Sequence, residues 1–226
     1  MKIRFIINPV SGTGKQEGID QLIKKHLTNF EFEIVYTKKK GDATQLSKKA
    51  VNDGIDAVVA VGGDGTVNEC AKALINTNTA LGIIPCGSGN GFAYHFGIKK
   101  DLEQAVIQLK YSNFRIIDSC SVNNIPFVNV SGIGFDAHIG NLFANRKKRG
   151  FVNYLKLIIN NISYKENNYT LEYEDKKRRV KAFLIAFANA SQYGNDAHIS
   201  PLSDISDGLI DFIIVKKFPK WKIPLI

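Results

Sequence analysis

Apolar positions in the first third of the chain fall into short compact runs that alternate with segments of helical spacing. Ile3 to Ile7 is an apolar run that stops at Asn8-Pro9, and it predicts a first strand. Gly18 to Leu27 places Ile19, Leu22, Ile23 and Leu27 at helical intervals. Phe32 to Tyr36 then reads as a strand, Ala43 to Val51 as a helix after Gly41-Asp42, and Ala57 to Ala60 as a third strand. That strand runs into Val61-Gly62-Gly63-Asp64-Gly65-Thr66-Val67-Asn68-Glu69, followed by Cys70 to Leu74, whose composition suits a helix, and by a strand over Ala80 to Pro85. Strands and helices alternating through short connections predict a parallel α/β sheet with right-handed crossovers and its loops gathered at the strands' carboxyl ends.

After a glycine-rich turn and a helix from Leu102 to Leu109 the texture changes near Phe114. Short β-like runs follow at Phe114 to Ile117, Phe127 to Val130, Asn168 to Tyr173, Val180 to Ala188 and Leu209 to Val215. One helical stretch, Val152 to Ile162, carries Leu155, Ile158, Ile159 and Ile162. A boundary near residues 117 to 121 separates an α/β domain over 1–118 from a β-rich domain over 119–226. The apolar ending Trp221-Lys222-Ile223-Pro224-Leu225-Ile226, with no polar tail after an incomplete sheet, reads as a C-terminal truncation.

A length of 226 residues with 44% apolar content supports one large domain or two small ones with a real core, and excludes collagen-like, disordered and miniprotein readings. No apolar run reaches the roughly 18 residues of a membrane span, and the strand-like start is too short for a signal peptide, so the expected location is cytoplasmic. Cys70, Cys86 and Cys120 lack the spacing of a zinc site or a disulfide framework, and the four histidines lack metal-ligand spacing.

The net charge of +9 is bunched at Lys38 to Lys40, Arg146 to Arg149, Lys176 to Arg179, and Lys216, Lys217, Lys220 and Lys222. Nucleotide phosphates or an anionic membrane surface would be attracted by such bunching, with plain solvated lysines as the alternative at each cluster. No zinc finger, RNP-like motif or repeat supports nucleic acid as a partner.

The chemistry concentrates in three loops. Asn8 to Gly12, Gly62 to Thr66, and Gly87-Ser88-Gly89-Asn90 each follow a predicted strand and should converge on one crevice. Glycines let backbone N–H groups approach a phosphate at a helix N-terminus, although a single Gly-Gly-Asp-Gly stretch is also what a tight turn requires. The Asn8 to Lys15 loop is no Walker A loop, because it lacks the first glycine and the Ser/Thr after the lysine.

Four motifs in order, Asn8-Pro9-x-Ser11-Gly12, Gly62-Gly63-Asp64-Gly65-Thr66-x-Asn68-Glu69, Pro85-x-Gly87-Ser88-Gly89-Asn90 and Ser206-Asp207-Gly208-x-x-Asp211, resemble those of the diacylglycerol kinase catalytic-domain family. The resemblance runs from residue 2 to about residue 216. It implies an ATP-dependent lipid kinase, built from an ATP-binding α/β domain and a sandwich-like lipid-substrate domain with a cleft between them. Asn8, Pro9, Val10, Ser11 and Gly12 and the stretch Gly62, Gly63, Asp64, Gly65, Thr66, Val67 and Asn68 correspond to nucleotide-binding loops, with Thr37 and Ser88 as further contacts. Asp64 corresponds to the catalytic carboxylate, acting as base or as a positioner of phosphate and Mg²⁺. Asp204, Asp207 and Leu209 correspond to a Mg²⁺ site, for which a turn entering a strand is the alternative. Asp136 corresponds to a position near the lipid head group, with a surface turn as the alternative. A lipid substrate and a peripheral contact with an anionic membrane follow from the resemblance, and a homodimer stays open.

Two departures bear on substrate and activity. Gly91 stands where bacterial diacylglycerol kinases usually carry Asp, a feature more like sphingosine kinases, and no Asp-Gly-Glu motif follows Asp207-Gly208. The alternatives are therefore an NAD kinase, against which the Ser131 to Asp136 stretch speaks, and a catalytically inactive nucleotide-binding regulatory module.

Overall fold

The structure, a computed structural model, describes residues 1–12, 16–144 and 151–219. Thr13 to Lys15 of the first loop, the basic run Arg146 to Arg149, Lys220, Lys222 and the apolar ending lie outside the described residues.

The first half alternates as its pattern requires: β1 (Lys2–Ile7), α1 (Ile19–His26), β2 (Glu31–Tyr36), α2 (Asp42–Asn52), β3 (Ala57–Gly62), α3 (Asp64–Leu74), β4 (Ala80–Pro85), the short α4 (Gly91–His95) and α5 (Leu102–Leu109). The four strands pair in parallel in the order β2-β1-β3-β4. Both faces are covered, which is why the central strand β3 reads as an unbroken apolar run, whereas the edge strand β2 alternates with exposed Glu31 and Glu33. Ile3, Phe5, Ile7, Val59 and Val61 face α1 and α5, burying Ile19, Ile23, Ala105 and Val106. Ile6, Val58 and Ala60 face α2 and α3, burying Ala43, Ala50, Val67, Cys70 and Leu74. Arg4 lies on this second side near the sheet edge; its guanidinium is 6% exposed and pairs with Glu33 and Asp53. Such a pair is costly to break from one side, because the remaining charge would lose its partner.

The second half is β-rich: β5 (Cys120–Val122), β6 (Ile125–Phe127), β7 (Val130–Gly134), α6 (Phe135–Ala144), α7 (Phe151–Asn161), β8 (Asn167–Tyr173), β9 (Lys176–Ala182), β10 (Leu184–Ala188) and β11 (Asp211–Val215). An antiparallel sheet β11-β10-β7 forms its centre, flanked by the hairpins β5-β6 and β8-β9. Helices α6 and α7 pack through Phe135, Ile139 and Leu157 onto Phe183, whose ring stacks on Phe135 at 4.5 Å between centroids.

Several elements differ from the pattern reading. Residues 114–117 form no strand: Phe114 and Ile116 are exposed, and the extended segment has no neighbouring strand to pair with. The run 180–188 is two strands broken at Phe183, because β9 turns back on β8 while β10 joins the central sheet. Helix α3 begins at Asp64, so most of the glycine motif is its first turn rather than a loop before it. Helix α6 has no counterpart in that reading; glycines at 134 and 140 interrupt its apolar pattern.

Candidate functional site

In the order β2-β1-β3-β4 the chain leaves β1 toward β2 and returns on the other side at β3. The crevice outside the carboxyl ends of β1 and β3 is therefore the topological switch point, where open α/β sheets bind ligands. The loops after β1, β3 and β4 meet there. Asn8 N–H donates to the Val61 carbonyl at 3.0 Å, and Asn8 Nδ2 reaches Thr66 Oγ1 at 3.0 Å. Gly63 N–H donates to Ser11 Oγ at 3.2 Å. The third loop comes so close that a Cβ on Gly87 would stand 2.4 Å from Gly63 Cα, which only glycine permits.

Asp64 occupies the first turn of α3, where the helix dipole favours an acid. Its carboxylate crosses to the third loop and accepts the N–H of Asn90 at 2.7 Å and, at 3.4 Å, that of Phe92 at the start of α4. Burial pushes the group above the usual carboxylate range, and these backbone N–H groups act against that rise. Asn90, held at a left-handed φ of 59°, bonds both backbone groups of Gly87 through its side chain and so shapes the loop.

Asp64 also faces the second half of the chain. It lines a cavity of about 320 Å³ with Ser88, Asn129, Asp136, Tyr154, Tyr193 and Asn195. Asp136 is thus half-buried in the first turn of α6 and not in a surface turn, and its carboxylate occupies the space that a side chain on Gly132 would fill, 2.1 Å from such a Cβ. Burial raises Asp136, and the hydroxyl of Tyr193 opposes that rise. Tyr154 is pushed up to about 12 by burial and by the Asp136 charge. Asp64 also lines a second, mostly apolar cavity of about 500 Å³, with Val67, Asn68, Phe92 and residues of the β5-β6 hairpin and β7.

The remaining expected residues lie further out. Thr37 is buried just past β2, its N–H on the Ile7 carbonyl, beside the loop in which Asp42 accepts the N–H groups of Lys38 and Lys39. Pro9 and Val10 are exposed at the crevice rim. Asp204, Asp207 and Leu209 line neither cavity. Asp204 accepts the N–H and hydroxyl of Ser206, which hold it below the usual range, and Asp207 accepts the N–H of Leu209. Among the described residues no three His, Cys, Asp or Glu side chains gather where they could hold a metal. Two exposed Asp side chains and a main-chain carbonyl are nonetheless the oxygen donors a hard cation takes.

Pattern reading did not single out Asn90, Asn129, Tyr154, Tyr193 or Asn195 as site residues. Asn90 lay within a quoted motif, and its position between two glycines and a short helix was the available clue. The others reach the cavity through long-range packing that leaves no local pattern. Asn195 Nδ2 donates to the Ser88 carbonyl at 2.6 Å, and Asn90 pairs with Gly194, so these contacts join the two halves at the site.

A parallel sheet with its glycine loops at the switch point, closed across a carboxylate-lined cavity by a β-rich half, defines a two-part α/β protein with a phosphate-type crevice. Residues 2–122 match the family described as diacylglycerol kinase catalytic domain, and residues 129–224 match the YegS C-terminal NAD kinase beta sandwich-like domain. The chain belongs to the diacylglycerol kinase catalytic-domain family. It is 30% identical to the diacylglycerol kinase of Bacillus subtilis, over 96% of this chain and 74% of that one. It is 34% identical to a Chromohalobacter salexigens protein named "Probable lipid kinase YegS-like", over 80% of this chain and 61% of that protein. A crystal structure of a diacylglycerol kinase from Bacillus anthracis str. Sterne superposes with a TM-score of 0.77 at 26% identity, over 96% of this chain and 74% of that one. The chain spans 61% of the Chromohalobacter protein and 52% of Synechocystis protein sll0036.

Proposed function

We propose that the chain is the nucleotide- and acceptor-binding part of an ATP- and Mg²⁺-dependent lipid kinase working at a membrane surface, with an ATP-binding domain over residues 1–118 and a lipid-substrate domain over 119–226. One observation carries the reading: Asp64 belongs both to the phosphate-type crevice and to the cavity shared with Asp136. A donor phosphate and an acceptor hydroxyl held on the two sides would meet at its carboxylate. Relatives named lipid kinase and diacylglycerol kinase support the same reading.

In the transfer the acceptor oxygen bonds to the γ-phosphorus, the bond from that phosphorus to the ADP oxygen breaks, and the hydroxyl proton leaves to a base. Most of the catalysis is positioning and charge stabilisation. The crevice supplies backbone N–H groups and the hydroxyls of Ser11, Thr66 and Ser88 for the phosphates. Asp64 orients the acceptor hydroxyl or takes its proton, a task suited to a carboxylate whose affinity for protons is raised by burial. Mg²⁺ bound with the nucleotide would neutralise phosphate charge, while Asp204, Asp207 and the Leu209 carbonyl would hold a separate, structural ion.

The test is incubation with γ-labelled ATP and Mg²⁺, offering a lipid extract and NAD⁺ in separate tubes. Label in an organic-phase phospholipid is expected. Label in NADP would overturn the lipid reading, and ATP binding with label in neither acceptor would favour a nucleotide-binding regulatory module.

A further inference from the structure

We propose that Glu69 is a positioning residue for the nucleotide: its carboxylate latches the lysine-bearing turn after β2 onto α3 and so holds Lys38, Lys39 and Lys40 beside the phosphate crevice. The inference rests on the ATP-binding reading and names what fixes one wall of that site. Glu69 lies on α3, within two turns of Asp64. Both of its carboxylate oxygens accept the backbone N–H of Gly41 at 3.0 Å, and its carbonyl accepts the hydroxyl of Thr44 at 2.9 Å. Gly41 immediately precedes α2, has a left-handed φ of 91° and offers no side chain to cap that helix. The start of a helix presents unpaired N–H groups and a partial positive charge, so a carboxylate brought from another helix is favoured there. Helix α2 is thus capped from α3, and the turn before it is tied to the helix that carries Asp64.

The latch holds a run of cations. Because β2 is parallel to β1, the turn leaves the sheet at the same end as Asn8 and the other crevice loops. Thr37 begins it with its N–H on the carbonyl of Ile7, the residue before Asn8, at 2.9 Å. Asp42 accepts the N–H groups of Lys38 at 2.8 Å and Lys39 at 3.0 Å, which closes the turn on itself. Lys38, Lys39 and Lys40 are exposed, and among the described residues none of their ammonium groups forms a salt bridge. A turn fixed at Ile7 on one side and at Glu69 on the other keeps these three cations at the rim where a polyphosphate would enter. Positive charge concentrated at a cleft raises the local concentration of an anionic ligand, so the latch sets how strongly the crevice draws ATP.

The test is calorimetric titration with MgATP, with no lipid present, at low and at high NaCl concentration. The wild type should bind, and more weakly at high salt, because exposed charges are screened. Glu69→Ala should bind at least about tenfold more weakly at low salt and lose most of the salt dependence, as the cations leave the rim. Glu69→Gln, which keeps an oxygen for the Gly41 N–H, should stay close to wild type. A Lys38→Ala/Lys39→Ala/Lys40→Ala variant should reproduce the Glu69→Ala result, and combining the two changes should add little, since both remove the same contribution. Lys48→Ala/Lys49→Ala, at exposed positions on α2 itself, should leave the affinity close to wild type. Wild-type affinity and salt dependence in Glu69→Ala overturn the proposal even if Tm falls, because Glu69 would then be a helix cap only. If Glu69→Ala does not fold, the lysine variant decides: its three side chains are exposed, and wild-type affinity there overturns the proposal equally. Failure of the ATP reading is separate: it appears as no saturable binding of MgATP by the wild type.

Discussion

A carboxylate partly withdrawn from water is held in place by what it touches, and the two half-buried aspartates of the site differ in this respect. Asp64 has backbone N–H groups from the third loop, whereas Asp136 sits against Gly132 with the Tyr193 hydroxyl as the group opposing its raised proton affinity. A raised folded-state pKa favours folding with the proton on, so Asp136 costs stability when the solution is above that pKa and costs none below the unfolded value near 4. Asp136→Asn should therefore raise Tm at pH 7, with the gain fading as pH falls toward 4; a gain that grows on acidification would contradict the burial account. Asp207 is different, being exposed and engaged with its own turn. If it holds a cation, Asp207→Asn shifts the Mg²⁺ midpoint of activity upward by about tenfold, whereas an unchanged titration would leave it a turn residue.

At the scale of elements, the central strands of the first half were legible because they are buried on both faces, so that Ala57 to Val61 admits no polar alternation and Ile3 to Ile7 is interrupted only by the ion-paired Arg4. Their order gave the three loops, and three loops in one crevice follow from the topology. The start of α3 was misread because Gly, Asp and Thr favour turns as much as helix N-termini. The β-rich half was harder: 114–117 has strand composition without a partner, and Phe183 ends one strand in a run that continues apolar into the next. Whether a run of β-formers becomes a strand is decided by pairing far along the chain. The close approach of Gly87 to Gly63 is a consequence of the loop geometry that can be tested. Gly87→Ala should weaken ATP binding by at least about tenfold, on the scale of forced backbone strain, with the far-ultraviolet circular dichroism retained; wild-type affinity would show that the loops are free to part.

At the scale of the molecule, the site exists only because two halves of different architecture meet. Asn195 to Ser88, Asn90 with Gly194, and His95 Nδ1 with the N–H of Ser191 stitch the α/β half to the strand-rich half around the cavity. None of these contacts joins residues close in sequence, which is why Tyr154, Tyr193 and Asn129 carried no local sign of their role. Asn195→Ala removes one stitch and should cost about 1 kcal/mol, or roughly 2–4 °C in Tm for a chain of this size, with a raised KM for ATP as the loop carrying Ser88 loosens; a fall in Tm with KM unchanged would separate the seam from the site. Among the described residues no helix is long and apolar enough to cross a membrane.

The most direct measurement compares γ-phosphoryl transfer to lipid by the wild type and by Asp64→Ala at saturating ATP and Mg²⁺. The account predicts labelled lipid from the wild type and at least about a 100-fold lower rate from the variant, the scale of removing a group that positions or deprotonates the acceptor, while ATP still binds. Equal rates from both proteins would contradict it, because Asp64 would then be only the residue that begins a helix.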